Sequence, residues 1–154
     1  QVTPGWLARL VAVAESEPSI GLVGPISINV SGLQNHPGDH YTTLPGLDLW
    51  ARYIARIHAG QVEETGRLVG FCLLIKRAVI QRIGLLDEQF KQSHEDDDYC
   101  RRAIQAGWRC VVARDVWVDH AGSLTVLEQG AAAYQQQMAE NEQRFLDKWR
   151  LGEG

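Results

Sequence analysis

The residues whose type and spacing most directly suggest chemistry are four consecutive carboxylates, Glu95-Asp96-Asp97-Asp98, followed by Tyr99-Cys100-Arg101-Arg102. Like charges side by side cost free energy unless a cation, a basic partner or a reacting group offsets them. At a helix start, free backbone N–H groups and the helix dipole supply part of that offset. Ser93, three residues before Asp96, makes a capping-box-like arrangement, and Asp97 to Arg101 and Asp98 to Arg102 fall at i,i+4 in the favourable order. Helix stabilisation thus accounts for two or three of the acids and leaves a surplus for a general base or a ligand. With Tyr99, Cys100, Ala103 and Ile104 as the buried stripe of a helix over 95–106, Glu95 and Asp96 project over the C-terminal edge of the neighbouring sheet. Open α/β sheets place their ligands there.

Other residues invite a functional reading with less force. His36 and His40 have the spacing of a helical metal pair, but Pro37 and Gly38 between them deny the helix. His120 is either a hydrogen-bonded strand-end histidine or part of a site. Gly70 either brings backbone close to a ligand or relieves packing between strand and helix. Of the five tryptophans, Trp6, Trp50 and Trp149 fall on helical stripes that suit a core, and Trp50 also borders a turn-rich loop at 31–46. That position makes Trp50 the tryptophan most readily read as part of a site. Cys72, Cys100 and Cys110 form no C-x-x-C pair, and their odd number suits free thiols in a reducing cytoplasm better than a disulfide framework.

These residues must be positioned by a modest scaffold. The chain has 154 residues, 45% of them hydrophobic, enough for one core, and it is read as a single domain over 1–154. With 15 Lys+Arg against 19 Asp+Glu, the net charge is −4, and no basic stripe suggests nucleic-acid binding. No apolar run approaches the ~20 residues that cross a bilayer, and no basic segment leads into an apolar stretch at the start. The chain opens at Gln1 on a helix-start signal, as a piece cut from a longer protein would.

Thr3-Pro4 reads as an N-cap and first helical residue, with a helix over 4–16. Residues 21–25 and 26–30 read as two short strands parted by a Gly-Pro break, 31–46 as a surface loop and 47–59 as a helix. The run Arg67 to Ile75 is the most apolar and is expected as a strand buried on both faces at the centre of the sheet. A helix over 77–83 stopped by Gly84, the acidic helix ending at Gly107, strands at 108–113 and 116–119, and a long polar helix over 126–149 complete the α/β pattern.

With these residues in hand, the chain resembles the C-terminal half of family 2 glycosyltransferases, which have the GT-A fold and use nucleotide-diphosphate sugars. The carriers are Val69-Gly70-Phe71-Cys72-Leu73-Leu74-Ile75-Lys76-Arg77, Ile83-Gly84-Leu85-Leu86-Asp87-Glu88-Gln89-Phe90, Glu95 to Arg102, Ala106-Gly107-Trp108 and Val118-Asp119-His120-Ala121-Gly122-Ser123. Pro4-Gly5-Trp6-Leu7 and Ile20 to Pro25 look like the stretches that follow the family's metal-binding D-x-D motif. The D-x-D motif and the nucleotide-binding half lie outside this sequence, Asp97 stands where the family commonly has an aliphatic residue, and residues 27–66 match no part of the pattern. The resemblance implies a partial GT-A-like fold, a mixed sheet flanked by helices with a long C-terminal helix.

The same resemblance implies an inverting transfer in polysaccharide or glycoconjugate biosynthesis, with a nucleotide-diphosphate sugar as donor and a glycan or glycoconjugate as acceptor. Asp96 would be the general base, and Glu95 would hold the acceptor or orient Asp96. Gly70, Trp50 and Arg102 would contribute to the substrate site, although Arg102 also suits an anchor through Asp98. His120 would approach a Mg²⁺ or Mn²⁺ ion whose remaining ligands belong to the parent enzyme. The parent would be cytoplasmic or peripheral to a membrane, and the isolated piece nearly inactive. A non-catalytic glycan- or partner-binding module is the alternative, and a metal-dependent hydrolase a third reading. A sheet cut at this point exposes an edge or apolar face, so self-association of the chain is expected.

Overall fold

Two runs of apolar residues pair in parallel to form the middle of the molecule. The computed structural model describes residues 1–37, 41, 43–122 and 130–150. Helix α1 (Trp6–Ser16) leads into β1 (Ile20–Ile26), and α2 (Leu44–Ile57) precedes two short strands, β2 (Val62–Thr65) and β3 (Leu74–Ile75). Then come α3 (Arg77–Ile83), α4 (Glu95–Gln105), β4 (Arg109–Trp117) and a long C-terminal helix, α5 (Ala131–Arg150). The four strands form one mixed sheet in the order β2-β4-β1-β3, with β1 and β4 parallel and the two outer strands antiparallel to their neighbours.

Every residue of β1 is buried, because helices cover both faces of the central pair. Leu10 and Ala14 of α1 pack on Ile20, Val23, Val111 and Ala113 on one face. On the other, Leu47 and Ile54 of α2, Val79 of α3, and Tyr99 and Ala103 of α4 close over Leu22, Ile26, Cys110 and Val112. The three cysteines are free thiols, Cys100 and Cys110 buried and Cys72 half-buried.

The structure corrects several of the expected elements. The Gly24-Pro25 pair does not break β1, since Gly24 pairs with Val112 and Pro25 with Ala113 in one continuous ladder, and residues 27–30 leave the sheet. The apolar stretch 67–75 is not the central strand. Only Leu74 and Ile75 join the sheet, at its edge, because the backbone around Gly70 turns aside to meet α4. Polar Val62–Thr65 supplies the other edge strand, whose exposed Glu63 and Glu64 lack the alternation that marks a strand in a sequence. The two strands anticipated at 108–119 are one, with a register shift opposite Pro25 and Ile26. Gly5 caps α1, whereas the Thr3 hydroxyl donates to the Trp117 carbonyl at 2.7 Å and so ties the N-terminal segment to β4.

Helices α3 and α4 end where anticipated. Gly84 has φ 80° and Gly107 φ 90°, backbone that costs an L side chain free energy and that glycine adopts freely. Residues 126–129 of the expected last helix lie outside the described residues, as does His40 of the His36/His40 pair. No described helix is long and apolar enough to cross a membrane.

Candidate functional site

The segment before α4 carries unusual backbone. Gln92 has φ 65° and His94 φ 68°, left-handed conformations worth about 1–2 kcal/mol of strain each for residues with a Cβ. Asn141 of α5 holds them in place. Its side chain is fully buried, and its amide nitrogen donates to the Lys91 carbonyl (2.7 Å), the Ser93 carbonyl (3.1 Å) and Ser93 Oγ (2.9 Å). Ser93 is therefore engaged with α5, and the anticipated capping box is not formed. His94 occupies the N-cap position without a side-chain bond.

The four acids then divide by environment. Asp98 is fully buried between two cations, with Arg102 Nε at 2.8 Å from one oxygen and Lys148 Nζ of α5 at 2.6 Å from the other, the latter an ion pair outside hydrogen-bond angles. Lys148 also reaches Asp87 at 2.7 Å and, as its strongest influence, holds that carboxyl down at about 2. Asp97 pairs with Arg67 instead of the expected Arg101, whose guanidinium lies over the Trp149 ring at 4.5 Å. Burial and the neighbouring Asp96 nevertheless raise the Asp97 carboxyl above its ordinary range. Two of the acids are thereby matched by basic side chains.

Glu95 and Asp96 face a cleft. Asp96 Oδ2 accepts from the Gly70 N–H at 2.7 Å and Oδ1 from the Asp97 N–H at 2.9 Å, which fixes the plane of the carboxylate with no cationic side chain among the described residues bonded to it. Glu95 is half-buried, one of its oxygens is enclosed without a hydrogen-bond partner, and burial raises its carboxyl above the usual range. Asp96 and Asp97 push it the same way.

The cleft, of about 1020 Å³, opens beyond the carboxyl ends of β1 and β4. There Asn29, following β1, and His120, following β4, are tied together. Asn29 Nδ2 donates to the His120 carbonyl at 3.2 Å, and His120 Nδ1 lies 3.3 Å from the Asn29 carbonyl. The Phe71 ring is tilted against the His120 ring with centroids 5.1 Å apart, and both line the same cleft as the carboxylates. Gly70 contributes its N–H to the acid rather than merely relieving packing. A Cβ there would lie 3.4 Å from the Asp96 carboxylate, in ordinary contact with it.

Glu95, Asp96, Gly70 and His120 are thus brought together, and two other candidates are not. Trp50 does not line the cleft. Its ring sits in an aromatic cluster on α2, 5.7 Å from Trp117 and 5.4 Å from Tyr53, because the helical stripe that carries it faces the core. Arg102 is occupied as an anchor. Besides Asp98 it donates to the Ile83 and Leu85 carbonyls at 2.8 and 2.9 Å, joining α4 to the end of α3, and its guanidinium lies over Tyr99. Sequence reasoning passed over Phe71, Asn29, Arg67 and Asn141. A signal existed for Asn29, a residue type that tolerates the left-handed backbone it adopts at φ 56°, and for Phe71, which stands within the 69–77 stretch beside Gly70.

Among the described residues no three His, Cys, Asp or Glu side chains converge on a cation site. His120 alone offers a single nitrogen, whereas Mg²⁺ and Mn²⁺ favour shells rich in oxygen. Among the described residues, the donors around His120 do not by themselves make up such a shell. Comparison with known proteins finds no matching family model, curated protein or solved structure. The chemistry available is therefore that of the site itself. A fixed carboxylate that keeps lone pairs free toward a cleft can take a proton from a hydroxyl, and a second acid of raised proton affinity beside it can hold a polar substrate in register.

Proposed function

We propose that this chain is the acceptor-binding and catalytic-base part of an inverting glycosyltransferase, and that Asp96 is the base. The observation that carries the reading is the fixing of Asp96 by the Gly70 and Asp97 N–H groups at the mouth of a cleft beyond the parallel strands. Asp96 takes the proton of an acceptor hydroxyl as that oxygen bonds the anomeric carbon from the face opposite the leaving group. The bond from that carbon to the nucleotide diphosphate breaks, and the diphosphate leaves with the electron pair. Mg²⁺ or Mn²⁺ bound by the parent enzyme would neutralise charge on that leaving group. Glu95 positions the acceptor, and the Phe71 and His120 rings, tilted at 55° to each other, offer an aromatic surface against which a sugar ring can lie.

The test uses the full reading frame that contains this chain, assayed for nucleotide release from a panel of nucleotide sugars. Asp96→Asn should lower turnover by about 10²–10⁴-fold, the usual contribution of a general base, with the far-ultraviolet circular dichroism unchanged. Undiminished turnover by that variant would remove Asp96 from the role. Glycan binding by a parent that turns over no nucleotide sugar would favour a binding module built on the same cleft.

A further inference from the structure

The outer face of α2 has a composition unlike that of the chain as a whole. Leu47, Ala51 and Ile54 point into the core. Of the exposed residues, five are apolar: Leu44, Pro45, Leu49, Tyr53 and Ile57. The remaining two are Arg52 and Arg56, and the one acid of the helix, Asp48, is only half-exposed, one turn before Arg52, in a chain whose acids outnumber its bases. Leu49, Tyr53 and Ile57 follow one another at i,i+4 and make a continuous stripe, 69%, 45% and 40% exposed. Each arginine immediately precedes a stripe residue, so the two charges flank the stripe on one side, and neither has an ion pair among the described residues.

We propose that this face of α2 docks on an anionic lipid bilayer, with Leu49, Tyr53 and Ile57 entering the headgroup boundary and Arg52 and Arg56 meeting lipid phosphates. An amphipathic helix lying in a membrane interface has this arrangement of apolar side chains beside cations, with an aromatic ring at the level of the headgroups. The helix has 14 residues, about 21 Å at 1.5 Å each, which presents the stripe over nearly three turns. The acids that follow α2 do not oppose the approach with free charge, since Glu64 pairs with Arg109 at 2.8 Å and Glu63 with Arg114 at 3.8 Å. The proposal is independent of the glycosyl-transfer reading and can stand or fall without it.

Co-sedimentation with vesicles of phosphatidylcholine containing about one third phosphatidylserine, against phosphatidylcholine alone, tests it directly. The chain should partition at least about tenfold more strongly to the anionic vesicles, and less as salt is raised. Arg52→Glu with Arg56→Glu should reduce binding to the phosphatidylcholine level. Leu49→Ser with Tyr53→Ser and Ile57→Ser should remove binding to both vesicle types while the circular dichroism is kept, because these side chains are exposed. Absence of binding to anionic vesicles, or binding that survives the triple serine variant, would overturn the proposal. So would sedimentation velocity showing a dimer that the serine variant dissociates, if the vesicles capture nothing.

Discussion

Glu95 and Asp96 are adjacent in the chain yet differ in what surrounds them. Asp96 receives two backbone N–H bonds, whereas Glu95 has an enclosed oxygen without one, and burial raises its proton affinity above that of an unfolded glutamate. A carboxyl raised in the folded state binds its proton more tightly there, so ionising it as pH rises past its folded value weakens the fold. Glu95→Gln should therefore raise the melting temperature at neutral pH, by about 2 °C, and should gain nothing at a pH where Glu95 is already protonated. A lower melting temperature at neutral pH would show that the charge is compensated by a contact other than those described here. The acidic cluster was legible as a surplus of charge, because like charges in sequence need partners. The i,i+4 spacing set Asp97 and Asp98 aside as paired and left Glu95 and Asp96 over the sheet edge, but the partners Arg67 and Lys148 were not legible, since they lie 30 residues upstream of Asp97 and 50 residues downstream of Asp98.

At the scale of elements, helices with a clear apolar stripe and a glycine stop, α3 and α4, were legible almost to the residue. The strands were harder to place. Arg67 to Ile75 has the composition of a buried strand, but the hydrogen bond from Gly70 to Asp96 draws its middle out of the ladder, a tertiary demand that composition does not record. The role of α5 was equally hidden, because a mostly polar helix gives no hint that one buried asparagine holds a distant loop. Asn141→Leu removes the donors to Lys91 and Ser93 and strands their carbonyls, at a cost of about 2 kcal/mol. Hydrogen exchange should then accelerate at residues 91–95 well before it does in β1 and β4. Uniform acceleration throughout the chain would mean that Asn141 supports the fold generally and not that loop in particular.

For the molecule as a whole, the parallel pair β1 and β4 sets both the core and the place of the cleft, while α4 and α5 contribute its helical walls. The contact of Lys148 with Asp87 adds a pH dependence of definite sign. Asp87 is held at about 2 against an ordinary 3.8, so it contributes stability that is fully present above about 4 and lost as pH falls toward 2. Asp87→Asn should flatten the decline of the melting temperature across that window, and an unchanged decline would place the acid sensitivity in other carboxylates. The position of α5 also has a consequence for synthesis. The ribosome delivers the strands, α4 and its four acids before it delivers Asn141 and Lys148, and domains fold progressively as they emerge. Until α5 has cleared the exit tunnel, the 91–94 loop lacks its brace and Asp98 one of its two cations. On the nascent chain the cleft takes shape after the β1–β4 core, so a pause in translation within α5 would hold back the site while leaving that core free to form.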